Sequence, residues 1–192
     1  MENVVRVTEN PPQTDLIAEC RRGSRDAMHA LFTAHQRRVY SIALNFFGGD
    51  ADKAADATQQ VFLKLFTRMN FRGDAEFTTW LYRMTLNACI DETRKTRRLF
   101  GLADWFTAAE PEVKISLDER IRSHEIAREV QTVFGSLKPK YRIPLVLKYV
   151  EELSYQEIAH VLDCSIGTVS SRLSRGHKML AAKLQHLKGE VS

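Results

Sequence analysis

The sequence contains little of the material from which disulfide frameworks and phosphate-binding loops are built. Its three cysteines, Cys20, Cys89 and Cys164, are odd in number and far apart, which indicates reduced thiols of a cytosolic protein. The nine glycines are scattered, and they form no glycine-rich loop that could cradle a phosphate. A small disulfide-stabilised fold and a nucleotide-binding loop of this kind are therefore excluded.

Long apolar runs and strand patterns are also missing. No apolar stretch approaches the length that is needed to cross a bilayer, and no apolar run follows basic residues at the start of the chain as it would in a secretory signal. A cytoplasmic location is expected. Apolar and polar residues alternate nowhere in the manner of a half-buried strand, so the predicted fold class is all-α.

The 192 residues have the composition of a folded protein with a mild excess of positive charge. A hydrophobic content of 44% is enough for a buried core and argues against global disorder. The net charge of +4 is compatible with a nucleic-acid partner but does not require one. Residues 1–13 are polar and predict a disordered leader, and residues 188–192 predict a frayed tail.

Helical periodicity divides the rest of the chain into two small domains. Apolar residues at helical spacing predict a four-helix unit over residues 14–97. An acidic segment with Pro111 at its middle predicts a flexible linker over residues 98–125. Residues 126–187 form the second helical domain, in which Gly135 is predicted to end the first helix.

The second domain contains the pattern of a helix-turn-helix. Ser154 and Glu157 have the S-x-x-E spacing of a capping box, which predicts the start of one helix. Asp163 lies where the chain must turn sharply, and aspartate tolerates the left-handed conformation better than most residues. Ser165 is placed to cap the following helix.

The second helix of this motif has an apolar face and a basic face. Ile166, Val169 and Leu173 are predicted to face inward. The side chains left pointing outward include Thr168, Ser171, Arg172, Arg175 and Lys178. Short polar groups in the first turns and cations further along suit the major groove of DNA. An ordinary solvated basic face of a helical domain would give the same pattern.

A second informative stretch covers residues 71–95, where aromatic and cationic side chains are interleaved. The aromatic residues are Phe71, Phe77, Trp80 and Tyr82, and the cations are Arg72, Arg83, Arg94 and Lys95. Unstacked bases bind proteins by stacking on aromatic faces and by phosphate contacts with cations. The alternative is that the aromatics are core residues at helical spacing, which fits Phe77, Leu81 and Met84 best.

Together these stretches resemble two regions of a bacterial sigma factor. The segment Asp56-x-x-Gln-Gln-Val-Phe-Leu-Lys-Leu-Phe66, followed by Phe71-Arg-Gly-Asp and Thr79-Trp-Leu-Tyr-Arg83, looks like region 2. The run from Leu137-Lys-Pro-Lys-Tyr-Arg to Ser-x-Gly-Thr-Val-x-Ser-Arg-Leu173 is similar to region 4. A chain with only these two regions resembles the extracytoplasmic-function subfamily, group 4 of the sigma-70 family.

The resemblance implies three binding surfaces. Docking on the clamp helices of the RNA polymerase large subunit would involve Asp56, Gln59, Gln60, Phe62 and Lys64. Capture of the single-stranded minus-10 element would involve Phe71, Arg72, Gly73, Asp74, Phe77, Thr79, Trp80, Arg83 and Asn87. Contact with the duplex minus-35 element would involve Ser165, Thr168, Ser171, Arg172, Arg175 and Lys178.

The resemblance also implies the partners: core RNA polymerase, promoter DNA and a membrane-associated anti-sigma factor that holds the two domains together and masks both DNA faces. No cofactor, small-molecule substrate or enzymatic activity is expected. Two other functions stay open. One is a sigma-like decoy that only sequesters an anti-sigma factor, and the other is a stand-alone helix-turn-helix regulator.

Some positions depart from the family pattern or suggest other chemistry. Gln60 stands where the family usually has an acid, and Ser170 where it often has a cation. Gly176 lies inside a predicted helix, where glycine costs up to roughly 1 kcal/mol relative to alanine. His160 and Cys164 are four residues apart, but a zinc site needs further ligands, so no metal site is predicted.

Overall fold

A computed structural model of the chain describes residues 13–67, 71, 76–100 and 119–185. These ranges contain eight helices and no strand, which confirms the predicted all-α class. The helices are α1 (Gln13–Arg21), α2 (Arg25–Phe46), α3 (Ala51–Thr67), α4 (Phe77–Phe100), α5 (Glu119–Ser136), α6 (Pro139–Tyr149), α7 (Tyr155–Leu162) and α8 (Ile166–Lys183).

Helices α1 to α4 form the first unit, in which α2 and α3 pack on α4. Their apolar stripes meet in one cluster that includes Leu31 and Val39 of α2, Val61 and Leu65 of α3, and Leu81 of α4, all nearly inaccessible to solvent. Each Å² of apolar surface that these stripes bury stabilises the folded state by roughly 25 cal/mol. The four predicted helices of this half are present.

Helices α5 to α8 form the second unit, and its helix-turn-helix is built as predicted. The Ser154 hydroxyl accepts from the Glu157 amide at 3.2 Å, and the Glu157 carboxylate accepts from the Ser154 amide at 2.7 Å. Asp163 has φ 49° and ψ 56°, the left-handed conformation of a helix C-cap. Ser165 accepts from the Thr168 amide at 3.1 Å and so caps α8.

The inward face of α8 differs from the prediction at its two ends. Val169 and Leu173 are buried, but Ile166 is 47% exposed, so its predicted inward position is wrong. Gly176 completes the buried stripe instead. A Cβ at this position would lie 2.9 Å from the Leu145 Cδ1 atom of α6. The glycine that costs helix propensity therefore allows α8 to approach α6 closely.

The two units pack against each other, which the sequence did not predict. One cluster of buried side chains includes Ile42 and Phe46 of α2, Cys89 of α4, Leu145 of α6 and Val161 of α7. Part of the predicted linker is helical, because α4 extends to residue 100 and α5 begins at residue 119. The rest of that linker, residues 101–118, lies outside the described ranges, as do most of the predicted leader and the tail.

Two features explain how close the units come. Gly135 was predicted to end α5. Instead α5 continues to Ser136, and Gly135 lies within it against Gly48 of the α2–α3 turn. Arg142 of α6 is 4% exposed. Its guanidinium donates to the backbone carbonyls of Phe46, Gly135 and Leu137. Burial lowers the pKa of Arg142 to about 10, so this arginine is a buried cation that carbonyl dipoles stabilise.

His35 of α2 predicts a pH dependence of stability. Burial, with Arg38 as a second cause, lowers its pKa from the ordinary 6.5. The unfolded chain therefore takes up a proton at higher pH than the folded chain. The free energy of unfolding should fall as the pH drops below 6.5 toward the folded pKa, by at most about 1.4 kcal/mol per pH unit.

This expectation is checked by urea unfolding at pH 7.5 and at lower pH for the wild type and for His35→Gln. The variant should lose part of the acid-side decline, whereas His29→Gln, which changes an exposed histidine of the same helix, should keep it. An equal decline in all three proteins would show that His35 does not contribute.

Candidate nucleic-acid and polymerase interfaces

The first turn of α8 presents hydroxyl groups that are held in place by local hydrogen bonds. The hydroxyls of Ser165 and Thr168 are 2.9 Å apart, and the Ser171 hydroxyl donates to the Thr168 carbonyl at 3.0 Å. Arg172 is half-buried, while Arg175 and Lys178 are exposed. All six predicted minus-35 residues therefore lie along one helix, with polar groups first and cations after them.

This basic surface extends to α6 through residues that sequence reasoning missed. The cationic side chains of Arg175 and Lys140 lie beside the Tyr141 hydroxyl and lower the pKa of Tyr141. The Lys140 ammonium lies 4.9 Å from the centroid of the Tyr141 ring. Lys140 and Tyr141 belong to α6, not to α8, so only the packing of the two helices shows that they adjoin the predicted minus-35 residues.

His177 follows Gly176 on α8 and is exposed. Its Nε2 atom lies 2.8 Å from the Tyr149 hydroxyl at the end of α6. The two rings also meet edge to face, with centroids 5.6 Å apart. This residue therefore links α8 to α6 as well as lying on the exposed side of α8.

In the first unit, the predicted minus-10 aromatics form a cluster of rings. The Phe71 ring centroid lies 5.5 Å from that of Phe77 and 5.6 Å from that of Trp80. Phe77 is only 5% exposed, so we correct the prediction that its side chain contacts DNA: it supports the other two rings from the core. Phe71 and Trp80 are half-buried, so part of each side chain is accessible to solvent.

A groove of about 890 Å³ runs between α3 and α4 beside this ring cluster. It joins Trp80, Arg83 and Asn87, three predicted minus-10 residues, with Lys64, a predicted polymerase contact. Sequence reasoning missed Leu63, which also lines the groove and is 53% exposed. An exposed leucine at this site is an apolar contact point beside cations. Thr79 is half-buried nearby on α4.

The predicted polymerase-binding residues lie on α3, with one exception. Asp56, Gln59, Gln60 and Lys64 are exposed. Phe62 is 4% exposed, and its ring packs edge to face on Phe32, with centroids 4.8 Å apart. We therefore correct its assignment, because a buried ring cannot be a direct contact and serves to hold α3 on α2.

Three of the predicted minus-10 residues, Arg72, Gly73 and Asp74, lie outside the described ranges. Among the residues that the structure describes, no group of three His, Cys, Asp or Glu side chains could hold a metal ion. Within the same residues, no helix combines the length and the apolar character of a membrane span.

Comparison with known proteins identifies both halves of the chain. Residues 31–99 match the family model of Sigma-70 region 2, and residues 127–180 match that of Sigma-70 region 4. The ECF RNA polymerase sigma factor SigW of Bacillus subtilis is 28% identical, over 89% of this chain and 96% of its own length. The ECF RNA polymerase sigma-E factor of Escherichia coli K12 is 31% identical, over 90% of this chain and 94% of its own.

A solved structure has the same fold. The sigma factor RpoE of Bartonella quintana, in complex with the anti-sigma factor NepR, matches with a TM-score of 0.59 and 22% identity. The match covers 80% of this chain and 94% of that one. The helices, the two region models in this order and the near full-length relatives together show that the chain belongs to the extracytoplasmic-function sigma factors of the sigma-70 family and acts with RNA polymerase in transcription initiation.

Proposed function

We propose that the three surfaces divide the work of promoter recognition as the family resemblance implies. The exposed face of α3 docks on the polymerase, the α3–α4 groove takes a single strand of the minus-10 element, and α8 enters the major groove of the minus-35 duplex. The observation that carries this proposal is the surface of α8. A capped helix with hydroxyls in its first turn and cations further along suits base edges and phosphates respectively.

The groove adds the chemistry that a single strand requires. Trp80 offers an aromatic face on which a base can stack, and stacking of one base contributes about 1–3 kcal/mol. Arg83 and Lys64 supply cations for phosphates, and Asn87 supplies an amide for hydrogen bonds. Lys64, a proposed polymerase contact, also lines this groove. The polymerase would therefore bind close to the captured single strand.

Three further parts of the proposal concern the protein's setting. The chain acts in the cytoplasm and has no catalytic activity of its own, because the polymerase performs the chemistry. It is inhibited by an anti-sigma factor, since the related RpoE of Bartonella quintana is seen in complex with such a factor.

Run-off transcription tests the proposal. Core polymerase and a pool of promoter fragments are incubated with and without the protein. We expect specific transcripts only in its presence, and their upstream sequences define both promoter elements. Lys64→Glu, on the exposed face of α3, should weaken core binding, whereas Arg21→Glu, an equal charge change at an exposed site of α1, should not.

The outcomes separate the alternatives. Binding to core polymerase without any transcript would favour a decoy that only occupies an anti-sigma factor. Binding to duplex DNA with no affinity for core polymerase would favour a stand-alone helix-turn-helix regulator. Either result would overturn the proposed division of work.

A further inference from the structure

The first residue of α8 has an exposed apolar side chain. Ile166 directly follows the Ser165 cap and is 47% exposed. The other large apolar side chains of α8 are buried or half-buried, including Met179 and Leu180 near its far end. A single exposed apolar residue is common on protein surfaces, so the exposure of Ile166 does not identify a role by itself.

The next residue, Gly167, is a glycine that the packing of the protein does not require. A Cβ at this position would meet only the Ser165 hydroxyl oxygen, at an ordinary contact distance of 3.9 Å. Gly167 has no positive φ either. Gly176 of the same helix differs, because a Cβ there would lie 2.9 Å from the Leu145 Cδ1 atom. Since glycine destabilises a helix relative to alanine, a glycine without a packing role indicates close approach of another molecule to the backbone.

The hydroxyl groups around Ile166 are engaged within α8. The Ser165 hydroxyl accepts from the Thr168 amide at 3.1 Å and lies 2.9 Å from the Thr168 hydroxyl. The Ser171 hydroxyl donates to the Thr168 carbonyl at 3.0 Å. Serine and threonine hydroxyls can pair with donors or with acceptors on base edges, so they discriminate weakly among bases. A side chain of different chemistry is needed to select one base at this end of α8.

Thymine is the base that offers an apolar group to such a side chain. Its C5-methyl group projects into the major groove, and the edges of the other three bases carry no methyl group. The N-terminal residues of a recognition helix are those that reach base edges, and Ile166 lies at that end. As a β-branched residue it has one strongly preferred χ1 rotamer in a helix. The side chain is therefore ordered before DNA binds, and an apolar contact costs it little conformational entropy.

We propose that Ile166 and Gly167 select a thymine in the minus-35 element. Gly167 allows the base edge to approach the helix backbone, and the Ile166 side chain packs on the C5-methyl group of that thymine. Removal of both apolar groups from water stabilises the complex, and a base without the methyl group loses this contribution. The inference rests on the proposed placement of α8 in the major groove of the minus-35 duplex.

Uracil substitution tests the contact without changing the protein, because uracil pairs as thymine does but lacks the methyl group. Each thymine of the minus-35 duplex identified by run-off transcription, on either strand, is replaced in turn, and affinity is measured by fluorescence anisotropy. Replacement at one position should weaken binding of the wild type by about fourfold, the factor that corresponds to burial of one methyl-sized group. Thymines outside the element should tolerate the replacement.

Two variants assign the effect to this end of α8. Ile166→Ala should bind the thymine and uracil duplexes equally. Val130→Ala, which shortens an exposed apolar side chain of α5, should keep the fourfold difference. Gly167→Ala should lower the affinity for both duplexes by about tenfold, since an added methyl group is costly in a close contact. The same variant should not lower the free energy of unfolding, because a Cβ fits the free protein and alanine favours a helix.

The outcomes distinguish this inference from the function on which it rests. Sequence-selective binding without a uracil-sensitive thymine would overturn the methyl contact and leave the reading function of α8 in place. A uracil effect that persists in Ile166→Ala would do the same. Unchanged affinity in Gly167→Ala would overturn the close approach of the base. If the wild type binds the duplex no more tightly than a scrambled one, α8 does not read the element, and the proposed function fails as well.

Discussion

Replacing Arg142 with alanine is expected to lower the free energy of unfolding by about 3–5 kcal/mol, the range seen when one partner of a buried charged contact is removed. The guanidinium serves three carbonyls, those of Phe46, Gly135 and Leu137. It also lies over the Phe46 ring, 4.9 Å from the centroid. Alanine would leave buried acceptors unsatisfied and a cavity between the units.

Urea or thermal unfolding followed by circular dichroism measures this effect. Arg128→Ala is the matched control, because it removes an exposed arginine from α5 and should change stability by less than about 0.5 kcal/mol. Arg142→Lys should fall between wild type and alanine, since an ammonium cannot reproduce the fork of donors. A loss of less than about 1 kcal/mol in Arg142→Ala would contradict the role assigned to these hydrogen bonds.

The double variant Arg172→Ala/Arg175→Ala should reduce affinity for the minus-35 duplex by at least about 30-fold, because each specific arginine contact contributes about 1–3 kcal/mol. Arg172 is half-buried and Arg175 is exposed on α8, the helix proposed to contact the minus-35 duplex. Arginines that meet phosphates also release counterions. The slope of log affinity against log salt should therefore become shallower by up to about two.

Fluorescence anisotropy with the duplex identified by run-off transcription, repeated over a range of salt concentrations, measures both quantities. Arg22→Ala/Arg25→Ala is the control, since it removes two exposed arginines near the start of the chain and changes the net charge equally. If the control loses as much affinity as the α8 variant, the effect is one of overall charge, and α8 is not the reading helix.

Local rules were enough to predict the helix-turn-helix. The Ser154–Glu157 box, the left-handed Asp163 and the Ser165 cap depend on residues within three positions of one another. The two serine caps form because their hydroxyls accept hydrogen bonds from the first amides of each helix. The turn forms because Asp adopts the left-handed conformation at a small steric cost. Motif spacing also identified the family, because the residues that mark each of the two regions lie close together in the sequence.

Local rules predicted the burial of individual side chains less well. Helical periodicity indicated a core position for Phe77, which is 5% exposed, but it also placed Ile166 inward, and Ile166 is 47% exposed. An amphipathic helix has apolar residues at the border of its stripe, and only the neighbouring helices decide on which side of the border each one falls.

The amino-acid sequence by itself thus determined the helices, their caps, the family and the order of the two binding regions. Only the tertiary structure decided how the regions meet. The approach of Gly48 to Gly135, the hydrogen bond from Arg142 to the Phe46 carbonyl and the hydrogen bonds from Arg83 to α7 each join residues more than 70 positions apart. Such contacts arise from the shape of two packed surfaces, and no local pattern encodes that shape.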